Sequence, residues 1–272
     1  MHLSLVFYVF LVRMAVGTLM SLVPLWSIRA AERHLRFQTV FTLCLVAGSA
    51  ALYLPALGET HPEFPRGAEA FFSLRGGMPW LLIVMGILCL VANLLFGTFR
   101  RRAGRIVLTA AILVGIAAVL GTARLSDAGG SVGALAALTF GGILGGLLMA
   151  STNDAMILGH FFLMIPGLPV DALKRAGRFT AAVIVARIVW LGLVLWLWDG
   201  AYDLLFGREL IWTAWRICFG LVGPLVLLLM VRDTVRLKNT QAATGLLYVA
   251  VGFALMGELA AVYLELQTGI PV

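Results

Sequence analysis

The sequence predicts an all-α, polytopic bundle of about eight transmembrane helices, and three observations carry that prediction. Of the 272 residues, 61% are apolar and 12% are charged, whereas a soluble domain carries about 25% charged residues. Mean hydropathy is +1.02. The basic residues fall in short clusters between apolar stretches, as membrane topology demands. A net charge of +7 would otherwise suggest a nucleic-acid partner, but this placement excludes one and points to the lipid bilayer. The same composition excludes a water-soluble enzyme and a disordered chain.

A helical span needs about 20 mostly apolar residues to cross the hydrocarbon. Eight stretches qualify: Leu3–Leu25, Phe37–Leu57, Pro79–Phe99, Arg105–Thr122, Ser131–Ile165, Phe179–Trp198, Leu210–Val231 and Ala242–Leu264. Helices are expected because lipid cannot satisfy free backbone amides and carbonyls. The alternating polarity of barrel strands is absent. The whole chain, residues 1–272, reads as a single integral-membrane domain.

Charge sets the orientation. The turns after spans one, three, five and seven hold thirteen basic residues, and the opposite side holds four: Arg66, Arg75, Arg124 and Arg208. The positive-inside rule makes the basic side cytoplasmic and puts both termini outside. Tryptophans near span ends, Trp80 and Trp196 among them, fit interface anchors. Met1-His2 carries no basic n-region and Arg13 interrupts the first apolar stretch, so that stretch is expected to be a retained span. Cys44, Cys89 and Cys218 lie within spans with no metal spacing, and are expected to be buried free thiols. The loop Gly58–Met78 is the longest on the outer side and is too short for a domain. No clean internal repeat is visible.

The fifth stretch, about 131–165, is too long for one upright crossing. It is expected to be either steeply tilted or broken. Gly141-Gly142 and Gly145-Gly146 give small-xxx-small patterns for close helix packing. The block Ser151-Thr152-Asn153-Asp154 is polar within apolar surroundings, and such groups face a cavity or each other at membrane depth. Pro166 and Pro169 end the segment.

Within the spans the ionisable residues are Arg13, Asp154, His160, Arg187, Arg216 and Glu258. Each is costly in hydrocarbon and needs a partner. Depth counted at about 1.5 Å per residue matches Arg216 with Glu258 and Asp154 with Arg187. Arg216 and Glu258 are therefore expected as a structural ion pair, and Asp154 with Arg187 as a second pair. Arg13 has no evident acidic partner. His160 is the histidine placed at membrane depth, able to exchange a proton near neutral pH. His160, Asp154, Asn153, Arg187 and Arg13 are the candidates for binding a ligand, a quinone above all, and for relaying protons. His2, His34 and His61 fall at an end or in turns, so a bis-histidine haem within this chain is not expected. No metal site is expected.

There is no P-loop, dinucleotide fingerprint or zinc motif, no nucleophile elbow, and too few carboxylates for a di-metal site. Three function classes follow. The first is a membrane subunit of a respiratory electron-transfer complex that meets quinone and relays protons. It would be non-catalytic itself, or would carry the quinone site of an oxidoreductase. In span number and size alone, the chain resembles the membrane-anchor subunits of dimethyl-sulfoxide and polysulfide reductases, and no residue role carries over. The second is a small-solute or ion transporter with a proton-coupled intramembrane site. The third is a structural or assembly subunit. Other membrane or redox subunits are the expected partners, and the bacterial inner membrane is the expected location, from the compact, arginine-rich and clearly oriented chain.

Overall fold

The computed structural model describes residues 3–27, 32–58, 72, 76–98, 100–126, 131–164, 170–198, 200–237 and 239–272. Among the described residues, eight helices are long and apolar enough to cross a membrane. They are α1 (Leu3–Ser21), α2 (Glu32–Gly58), α3 (Gly77–Gly97), α4 (Arg101–Ala123), α5 (Val132–Met164), α6 (Val170–Leu197), α7 (Leu210–Arg236) and α8 (Thr240–Thr268). The residues Arg29, Arg66, Arg75, Pro166, Pro169 and Lys238, with most of the Gly58–Met78 loop, lie outside the described residues.

The helices form two four-helix groups. α1 packs on α2, α2 on α3, α3 on α4, and α4 back on α1; α5 to α8 repeat that order of neighbours. Each group centres on an apolar core, the first of which also takes in Met149 of α5 and Ala254 and Val262 of α8. The groups meet where α1 lies against α5, with α4–α5 and α8–α1 contacts on either side. The sequence shows no repeat, yet the two halves share one topology. Neighbour order needs only apolar faces and short turns, which unrelated residues supply equally well.

Glycine permits the central contact. A Cβ on Gly17 would overlap the Gly146 carbonyl, and one on Gly146 would overlap the Arg13 carbonyl. The α1 and α5 backbones therefore touch, which only residues without a side chain allow. Gly220 of α7 and Gly257 of α8 meet in the same way.

Two helices depart from simple spans. α5 is one continuous helix of 33 residues, about 50 Å long, so the long fifth stretch is not broken. Its polar block survives inside a helix partly because Thr152 Oγ1 donates to the Leu148 carbonyl at 2.7 Å. α7 carries a π-helical turn at Cys218–Val222. Pro224 follows it and cannot donate a backbone N–H into the ladder, which loosens the turn before it.

The thiols divide. Cys89 is buried, whereas Cys44 and Cys218 face outward; an apolar stretch does not reveal which of its faces meets lipid.

Candidate functional site

Buried charge gathers in two places. The first lies where α1, α5, α6, α7 and α8 converge. It holds Arg13, Arg187, Arg216, Glu258 and Glu265, each less than 5% exposed. Arg13 grips Glu265 with both terminal nitrogens: Nη1 donates to Oε2 at 2.8 Å and Nη2 donates to Oε1. The Ser126 hydroxyl reaches the same carboxylate at 3.4 Å. Glu258 stands between two guanidiniums, 2.8 Å from Arg216 Nη1 and 3.5 Å from Arg187 Nη2. Arg187 Nη2 also donates to the Val272 carbonyl at 2.6 Å.

Room for these groups comes from the glycines of α5 and α7. A Cβ on Gly142 would sit 2.8 Å from Arg13 Nε. One on Gly145 would overlap Glu258 Oε2 and lie 3.1 Å from Arg187 Nη2. One on Gly220 would overlap Arg216 Nη1. The glycine pairs of α5 thus serve both helix contact and the housing of guanidiniums. A small cavity lined by Phe10, Arg13, Met14, Gly145, Met149 and Glu258 joins the two ion-pair groups and has room for about one water molecule.

Arg216 and Glu258 meet as their depths suggest. Asp154 and Arg187 do not. Gly145 touches Glu258 and Arg187, and Asp154 lies nine residues further along α5, about 13 Å away. Arg187 therefore belongs to the cluster and Asp154 to the basic end. Arg13 does have an acidic partner. The apolar stretch of the eighth span ends at Leu264, one residue short of Glu265. The helix runs on to Thr268 and stops at Gly269, whose φ of 69° suits a residue without a Cβ.

The second place lies at the basic end, where α1 finishes and α2 begins. His34 of α2 is 2% exposed and its Nε2 is 3.2 Å from Asp154 Oδ1. The Ser21 hydroxyl of α1 donates to Asp154 Oδ2. Asn153 and Gln38 are also buried. Six polar atoms here make no hydrogen bond among the described residues: both ring nitrogens of His34, Asp154 Oδ1, Asn153 Nδ2 and both amide atoms of Gln38. Buried polar groups are nearly always paired, so this concentration singles the place out. The carboxylate bridges hydroxyl and imidazole. A nucleophilic triad needs the imidazole in the middle, so acyl transfer is not what this arrangement performs.

Among the described histidines, His34, which the sequence places in a turn, is the buried one. His160, placed at membrane depth, is exposed and pairs with Tyr248, whose hydroxyl lies 3.3 Å from His160 Nδ1. Helical geometry explains the exchange. Positions seven apart on a helix share a face and positions six apart do not. Phe161, seven residues beyond Asp154, therefore points at His34, with ring centroids 5.9 Å apart, while His160 turns away. The signal for His34 was its spacing from Gln38: two polar side chains four apart at the start of an apolar stretch face the same way.

Among the described residues, no group of three or more His, Cys, Asp or Glu side chains could hold a metal ion. No protein-family description, curated protein or solved structure matches the chain. The likeness in span number and size to reductase anchor subunits therefore carries no family membership. Fold and composition define an all-helical bundle with eight helices long and apolar enough to span a membrane and two buried ionisable sites among the described residues.

Proposed function

We propose that this chain is a membrane subunit of an electron-transfer complex that binds a quinone head group at His34, Asp154 and Asn153 and exchanges protons with it. The observation that carries the reading is a buried imidazole–carboxylate dyad surrounded by unpartnered amide and ring atoms. Quinone reduction takes up two electrons and two protons and converts two carbonyls to hydroxyls. Such a site needs donors for the carbonyls and groups that hold transferable protons. Asn153 Nδ2 and Gln38 Nε2 are free donors. His34 Nε2 lies 3.2 Å from Asp154 Oδ1, and its Nδ1 is available to accept a quinol proton when the ring is neutral or to donate one when it is protonated. The electrons are supplied by a carrier on a partner subunit. By the positive-inside rule the basic end faces the cytoplasm of a bacterial inner membrane, so the dyad draws its protons from there.

The test is a quinone titration of the purified complex. His34→Ala and Asp154→Asn should each weaken quinone binding at least tenfold while the chain stays assembled. Unchanged binding in both variants overturns the reading.

A second reading, proton-coupled transport, rests on a different observation. Glu265, Glu258 and Asp154 form a buried column along the bundle, with steps of about 10 Å and 13 Å from their helical spacing. The column lies where two halves of like topology meet, a common setting for transporter sites. Proton flux through the isolated chain in liposomes, abolished by Glu258→Gln, would favour it over the quinone site. Absence of both activities would leave the arginine cluster as a helix clamp within a larger assembly.

A further inference from the structure

Two phenylalanines stand between the His34 dyad and the outer surface of the bundle. Phe161 of α5 sets its ring edge-to-face on His34 at 5.9 Å and on Phe37 of α2 at 5.7 Å. Phe161 is partly buried and Phe37 is 46% exposed. Val40, one turn further along α2 from Phe37, is 49% exposed. An apolar track therefore runs from the dyad, past Phe161 and Phe37, onto the outward face of α2.

The helices around this track are not packed together. α2 lies against α1 and α3, while α5 lies against α1, α4, α6 and α8. Among the described residues, α2 and α5 meet at this level through side chains: His34 with Asp154, His34 with Phe161, and Phe37 with Phe161. Phenyl rings can change rotamer without moving either backbone, and exposed side chains do so in picoseconds to nanoseconds.

We propose that the Phe37–Phe161 pair is a lateral portal from the bilayer to the His34–Asp154 dyad, and that its ligand is a quinone with an apolar tail rather than a water-soluble molecule. The inference rests on the quinone reading of the same dyad. The head group lies against His34 and Asp154, and the tail leaves between α2 and α5 along Phe37 and Val40. A long alkyl tail favours hydrocarbon strongly, so a site for it needs a side opening to lipid. The opening here is closed by two rings instead of a helix–helix contact. Phe161 is then a specificity-determining residue, acting on entry and not on proton transfer.

The test uses the assembled complex in lipid nanodiscs and two quinones with one head group, one carrying an isoprenoid tail and one carrying none. Association and dissociation rates are measured for wild type, Phe161→Trp, Phe161→Leu and His34→Ala. Phe161→Trp enlarges the ring in the portal and should slow association of the tailed quinone at least tenfold, with less than a threefold effect on the tail-less one. Phe161→Leu keeps an apolar plug and should restore the tailed rate to within threefold, which separates blockage from misfolding. Equal slowing of both quinones by Phe161→Trp, or of neither, overturns the portal. His34→Ala reports separately on the dyad. If it leaves both quinones bound as in wild type, the underlying site reading fails, whatever the Phe161 variants show.

Discussion

Glu265→Gln tests whether the contact between α1 and α8 is an electrostatic one. Arg13 and Glu265 are 4% and 1% exposed and meet through two parallel hydrogen bonds. Glutamine keeps the shape and removes the charge. The Arg13 guanidinium is then left buried with no counter-charge in contact, and removing one partner of a buried pair costs about 3–5 kcal/mol. At about 1.4 kcal/mol per tenfold, the folding equilibrium constant falls by roughly a hundredfold or more. Arg13→Met strands the carboxylate and should cost a similar amount. The double variant Arg13→Met, Glu265→Gln strands neither, because both charges are gone. It should lose about as much as one single variant, which makes the coupling about 3–5 kcal/mol, at or above the upper end of what contacting residues show. The assay is reversible unfolding in mixed micelles, read by tryptophan fluorescence, for all four proteins. If the two single losses add in the double variant to within about 0.5 kcal/mol, the pair is not coupled and the argument from buried charge is wrong.

Two further predictions follow from the same packing. Gly145→Ala places a methyl group on the Glu258 carboxylate and should destabilise the bundle by about 1–3 kcal/mol through overpacking, measured by the same unfolding assay; stability equal to wild type would mean that the carboxylate is free to move aside. His160→Ala removes an exposed side chain held by one contact to Tyr248, so it should change stability by less than about 0.5 kcal/mol and leave quinone affinity unaltered, and a large loss of quinone binding would return the site to the outward face of α5.

How the site was read from sequence depends on which physical rule governs each residue. Arg216 and Glu258 were legible because depth along a straight helix is a simple count. Arg13 was recognised as a buried charge, but its partner was not, because an apolar window ends before the helix does. Glu265 lies one residue beyond Leu264, where the sequence stretch stops and the helix continues. Asp154 was recognised as unusual and given the wrong partner. A depth near the middle of the long fifth segment does not hold for it: Asp154 meets Ser21 at the end of α1 and His34 in the first turn of α2. His34 was set aside as a turn residue because Arg33 and Arg36 flank it, although the helix begins at Glu32.

By itself, then, the sequence determined the class of fold: eight apolar helices, their approximate limits, the single basic end and the cost of each buried charge. These are local properties, set by composition over about twenty residues and by the inability of lipid to bond to backbone. Only tertiary structure decided the pairings. Whether Arg187 meets Asp154 or Glu258 depends on the axial offset between helices. At Gly145 of α5 both Glu258 and Arg187 come within a Cβ's reach, a contact between segments far apart in the chain. The same offset brings His34 to Asp154, and His160, six residues from Asp154 and so not on its face, turns outward.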